Sequence, residues 1–223
     1  MSSRLALFPL DTVLFPGSLL PLHIFEPRYR RLLADALEGD KRFGLVPLGP
    51  EGARPSTGVI GTVALIRAAQ PLPDGRSNIV VSGERRFMLR RYIDEDTPYP
   101  VGLVDSFDDD ESDRPEAEGH LPELRRLADR CLEALAVLTD AASKQEWSSD
   151  PGELSFQIAG ILRLETEFKQ RFLGIRSAAQ RTGLLLQVLP DAVADLEARA
   201  VVRRRADRNG TGGEAPDITQ PES

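Results

Sequence analysis

Residues 19–37 read LLPLHIFEPRYRRLLADAL, and this stretch decides the fold. Residues 19–24 form an apolar run that carries a single His23. A Phe25-Glu26-Pro27 corner follows, and then Tyr29, Leu32, Leu33, Ala36 and Leu37 recur at helical spacing. Pro27 suits the first helical position, where a missing N–H costs nothing. Glu26 stands where a carboxylate favours the positive end of the helix. Arg28, Arg30 and Arg31 fill the other faces, and Gly39 supplies a stop. The spacing therefore predicts a strand that runs into a helix through one rigid corner.

Working outward, residues 1–108 read as β-rich. Residues 5–10 form a short apolar strand, and Phe15-Pro16-Gly17 turns the chain before residue 19. After the helix, residues 42–47 (RFGLVP) make a third strand, and residues 49–57 form an exposed loop rich in Gly, Pro and Ser. Residues 58–69 make a long strand with Gly61 as a bulge or close-approach point. Asp74-Gly75 marks a hairpin into residues 77–82, since Gly permits the positive φ of a tight turn. Residues 84–92 and 99–107 supply further strands. About six strands with one inserted helix predict a small, closed or nearly closed barrel, which removes exposed edges.

The character changes at residues 105–118, DSFDDDESDRPEAE, where eight carboxylates stand against one arginine. A solvated linker over 109–120 is the expectation, because a metal loop would need a Gly-kinked D-x-D-x-D-G spacing. From residue 121 to 202 the pattern is helical. Leu124, Ala128, Cys131, Leu135 and Leu138 share one stripe. Asp150-Pro151-Gly152-Glu153 and Ser177-Ala178-Ala179-Gln180 are helix starts with capping patterns. Pro190 is expected to kink or restart the last helix. Residues 203–223 are polar and read as a disordered tail.

A chain of 223 residues with 41% hydrophobic content can bury a core of one large or two small domains. The single cysteine, Cys131, excludes an internal disulfide, and no apolar run approaches the roughly 20 residues that span a bilayer. Residues 1–17 lack the continuous apolar region of a signal peptide, so the expected setting is a reducing cytoplasm. Lysine occurs only at Lys41, Lys144 and Lys169, an arginine skew of the kind that GC-rich bacterial genomes give. The formal charge of −7 argues against nonspecific nucleic-acid binding.

Catalytic constellations are missing. There is no G-x-x-x-x-G-K-[ST] phosphate loop. Ser143 and Lys144 are sequence neighbours in a polar stretch, not the separated pair of a serine–lysine protease. His120 is expected to be solvated at the linker end, and Cys131 reads as a small buried hydrophobe. Zinc ligand spacing is absent, so neither a metal nor a cofactor is expected. One concentration of polar groups in an apolar context is His23, Glu26, Arg28 and Tyr29. It reads either as a recognition site or, the favoured alternative, as a structural pin whose groups pair locally. Arg85-Arg86-Phe87 is a second candidate, with a strand solvated on one face as the favoured reading. Phe15, Phe25 and Trp147 are the candidates for an exposed apolar patch.

At these residues the chain resembles the amino-terminal LON domain, the substrate-binding region of ATP-dependent Lon proteases. The resemblance rests on residues 7–10 (LFPL), 15–17 (FPG), 20–29 (LPLHIFEPRY), Phe43-Gly44, Gly61-Thr62, 74–76 (DGR), 83–87 (GERRF) and Tyr99. Lys169-Gln170, Leu173, Arg181 and residues 184–186 extend it into the helical half. It implies an α+β fold, a PUA-like β-barrel with one inserted helix followed by an α-helical bundle. It also implies a noncatalytic module that binds unfolded or signal-bearing polypeptides, or docks on a protease or chaperone. Because the chain ends before an ATPase or protease module could begin, it is expected to be similar to the stand-alone LON-domain proteins of bacteria. RNA binding is the alternative, because PUA-like barrels elsewhere serve that purpose, with Arg85, Arg86, Arg90 and Arg91 as a possible local patch.

Overall fold

The computed structural model describes residues 2–139 and 145–210. Among them, an α+β fold is built from β1 (Ser3–Leu10), β2 (Leu19–Ile24), α1 (Pro27–Glu38), β3 (Arg42–Pro47), β4 (Ile60–Pro71), β5 (Ser77–Ile93), β6 (Val101–Ser106), α2 (Arg114–Thr139), α3 (Pro151–Ile161), α4 (Thr166–Leu173) and α5 (Ala178–Gly210). The strands form one six-stranded sheet in the order β2-β5-β4-β3-β1-β6. β1 and β3 run parallel, because β2 and α1 form the crossover between them, and the other pairs are antiparallel. β6 pairs with β1 on one side and with the second half of β5 on the other, so the pairing returns to β5.

β5 is a single strand of 17 residues where the sequence predicts two. Its first half lies between β2 and β4, and its second half between β4 and β6. Gly83 is not a break. A Cβ there would lie 2.2 Å from the Phe15 carbonyl oxygen, so glycine lets the incoming 15–17 segment cross the strand. Gly61 serves likewise as a close approach: an added Cβ would meet the Leu45 carbonyl oxygen at 2.4 Å and the Phe87 ring at 2.6 Å.

α1 lays Tyr29, Leu32, Leu33 and Ala36 on the sheet, where they share a core with Phe8, Phe43, Ile79 and Val81. Burying such aliphatic side chains stabilises the docked helix by about 1.5–3 kcal/mol each. A second cluster, Leu7, Val46, Val63, Phe87, Leu89 and Val104, occupies another part of the sheet.

The chain divides into two compact units, neither continuous in sequence. Residues 1–121 and 147–185 form the first: the sheet, α1, the start of α2, then α3, α4 and the start of α5. Residues 122–146 and 186–223 form the second, from the remainders of α2 and α5. There the Arg130–Glu197 ion pair (2.8 Å) joins the two helices, and Cys131 is buried, its thiol pKa pushed up by that burial.

Four expectations are corrected. The acidic stretch is not a free linker: Asp110 caps a short helical turn at Glu111–Asp113, and α2 already begins at Arg114. The helical part expected over 121–202 is not one unit: residues 109–121 and 147–185 belong with the sheet, and the second unit begins at residue 122. Helix continues past residue 203 to Gly210, and the rest of the expected tail, 211–223, lies outside the described residues, as do Ser143 and Lys144. α5 also runs unbroken through Pro190, which is exposed and takes one N–H out of its ladder. The Asp150 cap forms as expected, its carboxylate accepting from Glu153 N (2.9 Å), and Ser177 Oγ accepts from Gln180 N (2.8 Å).

Candidate functional site

At the β2–α1 corner, Glu26 takes the N-cap position with extended backbone, and Pro27 opens the helix. The Glu26 side chain makes no capping bond; it accepts from Arg28 Nε (2.9 Å) instead. The Arg28 guanidinium lies 4.5 Å from the centroid of the Tyr29 ring. Tyr29 is core, 4.2 Å between ring centroids from Phe8, and burial pushes its phenol pKa up. The structure thus brings Glu26, Arg28 and Tyr29 together. His23 points elsewhere. It is exposed, donates from Nδ1 to Asn78 Oδ1 on β5 (2.7 Å), and lies beside the exposed Phe25 ring at 6.1 Å. Arg76 Nη1 comes to 3.5 Å of His23 Nε2.

The outer face of β2 is apolar and open. Leu19 is 66% exposed and Phe25 59%. Between β2, β5 and the end of β4 runs a groove of about 420 Å³ lined by Pro21, Leu22, His23, Ala68, Ala69, Gln70, Asn78, Ile79 and Val80. Phe15, by contrast, is buried against Phe156 and Phe172 (5.7 and 5.9 Å between centroids), so it offers nothing to a surface patch. Trp147 is half-buried.

Arg85, Arg86 and Phe87 do not form one site. A bulge opposite Val63 breaks the alternation, so Arg86 and Phe87 are both buried while Arg85 stays exposed. The expected solvated strand face is therefore corrected at Arg86, which is 4% exposed. Its guanidinium pairs with Asp109 and donates to the Leu173 and Ile175 carbonyls (both 2.7 Å). The same carboxylate receives Arg181 in two contacts, Nη1–Oδ1 at 2.8 Å and Nη2–Oδ2 at 2.5 Å. Arg181 also donates to Ser155 Oγ (2.9 Å) and stands over the Phe156 ring at 4.3 Å. Burial lowers the Arg86 pKa to about 10 despite the attraction of Asp109. This cluster ties β5, α3 and the α4–α5 connection to the acidic stretch. Its role is architectural, because its donors are spent inside the protein.

The possible arginine patch is not assembled either: Arg86 is buried and Arg90 is paired with Asp105 (2.9 Å). His120 is half-buried on α2, with Nδ1 at 2.7 Å from Thr182 Oγ1. Thr182 donates to a helical carbonyl, Ala178 O or Ala179 O (2.9 and 3.0 Å), so it accepts from the imidazole. Among the described residues no group of three His, Cys, Asp or Glu could hold a metal, and no helix is long and apolar enough to cross a membrane. Sequence reading missed Leu19, Asn78 and Asp109. Leu19 and Asn78 became legible only with the register of β2 on β5.

Residues 4–191 match the model of the ATP-dependent protease La (LON) substrate-binding domain. The chain is similar to a Lon protease of Cytophaga hutchinsonii, 26% identical over 87% of this chain and 25% of that one. It is also similar to Lon protease 2 of Myxococcus xanthus, 30% identical over 83% of this chain and 23% of that one. It thus spans about a quarter of the length of these relatives. Among solved structures, the Lon N-terminal domain protein from Xanthomonas campestris superposes with a TM-score of 0.61 at 26% identity, covering 83% of this chain and 98% of that one. The N-terminal domain of Mycobacterium avium complex Lon protease shares the fold, with a TM-score of 0.65 at 20% identity over 86% of this chain and 99% of that one. With the family model matched over most of its length and the fold shared, the chain belongs to the family of LON substrate-binding domains.

Proposed function

We propose that this protein is a noncatalytic polypeptide-binding module, which receives unfolded or signal-bearing chains on the β2 face beside the His23–Tyr29 corner and presents them to a protease or chaperone. The six-stranded sheet, with β6 paired to both β1 and β5, is on this reading a PUA-like β-barrel, and the setting is the bacterial cytoplasm. Membership of the LON substrate-binding family supports the class of ligand. The observation that carries the site is the exposed pair Leu19 and Phe25, flanking an apolar groove with no charged side chain among its lining residues. Exposed apolar surface gathered in this way marks an interaction site. Residues for chemistry are not grouped there. His23 is occupied by Asn78, and Glu26 by Arg28.

The test uses reduced, carboxymethylated α-lactalbumin as a permanently unfolded probe, labelled for fluorescence anisotropy. The intact protein should bind it, and replacing Leu19 and Phe25 together with serine should weaken binding by about tenfold. The melting temperature should hardly move, because exposed apolar side chains contribute little to stability. Equal binding by the variant and the parent would remove the site from this face.

A further inference from the structure

The register of β2 leaves one sheet edge without a partner. Gly83 N donates to Ser18 O (3.0 Å), so the Ser18 carbonyl faces β5. Along the antiparallel ladder the facing alternates, and Leu20, Leu22 and Ile24 turn their peptide groups to Val81, Ile79 and Ser77. Leu19, Pro21 and His23 therefore turn theirs outward. Pro21 sits where its missing N–H would have pointed away from the sheet, the placement that proline takes on an edge strand. The free edge offers the N–H groups of Leu19 and His23 and the carbonyls of Leu19, Pro21 and His23. Among the described residues no strand pairs with that side of β2. α3 covers only its approach, with Gly160 against Ser18 and Gln157 against Gly17.

Edges are ordinarily protected by charge, by bulges or by cover. β2 has no charged residue and no bulge against β5; Pro21 removes one outward donor, but the other groups of the edge remain, and Leu19 is among the most exposed apolar side chains described. The end of β4 is also unpaired on one side, but it carries the charged Arg67. Arg67 reaches the Leu19 end of the β2–β5 ladder through Ser82, to whose hydroxyl it donates (2.8 Å).

We infer that β2 binds an extended segment of unfolded polypeptide by strand addition, reading mainly its backbone, with apolar side chains at alternate positions over Leu19, Pro21 and Val80 and a carboxylate favoured at the end near Arg67. This inference rests on the function proposed above and specifies its mode. Backbone pairing gives affinity without fixing a sequence, while the alternate side chains give preference. A module of this kind accepts many unrelated unfolded chains provided that they can extend.

The probe is a fluorescein-labelled ten-residue peptide alternating leucine with serine and ending in two aspartates, used with the full chain. Two N-methylated versions are compared, one methylated at the leucine amides and the other at the serine amides. Only one set of amides can face β2, so one version should lose binding by about tenfold or more and the other should keep it. On the protein side, His23→Pro removes one outward donor and should weaken the parent peptide, while His23→Ala keeps the donor and should not. Neutralising the two aspartates should weaken binding severalfold. Equal binding of both methylated peptides, with the unfolded α-lactalbumin still bound, overturns strand addition and leaves the polypeptide-binding reading standing. Loss of both probes from the parent protein overturns both. A dimer at working concentration that His23→Pro dissociates assigns the edge to a second copy of the chain and also overturns the inference.

Discussion

Asp109 is the residue on which two buried guanidinium groups depend. Both Arg86 and Arg181 are almost wholly removed from solvent, and the carboxylate is shared between them. Breaking a buried pair strands the partner charge, and here it strands two. Asp109→Asn should therefore cost about 3 kcal/mol in a urea titration, whereas the same change at Asp108, whose side chain accepts from Ser106 on the surface, should cost little. Tyr99 makes a second prediction. Its hydroxyl donates to Asp35 (2.7 Å), and burial together with that bond raises its pKa to about 12. The same bond is the main cause that lowers the Asp35 pKa. Stability from the raised phenol is fully present below pH 10 and is lost as pH rises through about 12; stability from the lowered carboxyl is present above the ordinary carboxylate range and is lost as pH falls through its depressed value. Ultraviolet titration of the folded protein should show a phenol ionising near pH 12 that Tyr99→Phe removes. A phenol step unchanged by that substitution would assign it to another tyrosine. None of this was legible at the level of single residues. In a run of carboxylates Asp109 looks like Asp108 and Asp110, and only the β5 bulge opposite Val63 turns Arg86 inward to meet it.

At the scale of elements, the corner at residues 25–29 behaves as read in one respect and not in another. The strand and the helix begin and end where periodicity and Pro27 place them. The expected cap is absent, because Glu26 is drawn aside to Arg28. Glu26→Ala should then lower stability by less than about 1 kcal/mol, through the helix dipole and a half-exposed ion pair alone. A loss well above that in thermal unfolding would mean that the carboxylate caps the helix in solution. Binding of unfolded α-lactalbumin is the second readout: a fall with the melting temperature unchanged would add Glu26 to the binding surface. Strand boundaries were legible because hydrophobic runs and Gly or Pro punctuation are local. The continuity of β5 was not, because glycine at residue 83 looks like a break until Phe15 is seen crossing it.

At the scale of the whole molecule, composition misplaced the division. The change from β-rich to acidic to helical suggests cuts at residues 109 and 121, but residues 109–121 and 147–185 belong to the unit that contains the sheet. Composition reports solvation, and a carboxylate paired with a buried arginine far away in sequence leaves no mark on it. A fragment of residues 1–108 should therefore fail to give a dispersed amide spectrum, since Arg86 loses Asp109 and Phe15 loses Phe156 and Phe172. A glutamyl endopeptidase should likewise spare Glu116 and Glu118 in the folded protein, because both lie inside α2 and Glu118 is paired with Arg114. Rapid cleavage there, ahead of the exposed Glu51, would restore the linker.

The crossing of Phe15 over Gly83, closed by α3 and α4, also bears on how the chain is made. Synthesis delivers residue 15 long before residue 185, and at about 5–20 residues per second the interval is on the order of ten to thirty seconds. Throughout it the nascent sheet lacks Phe156, Phe172 and Arg181, and Arg86 has no second guanidinium to share Asp109 with. Contacts so distant in sequence make for slow closure. If finished copies bind unfolded chains as proposed, the newborn module is itself such a chain, and it must escape capture by its own kind.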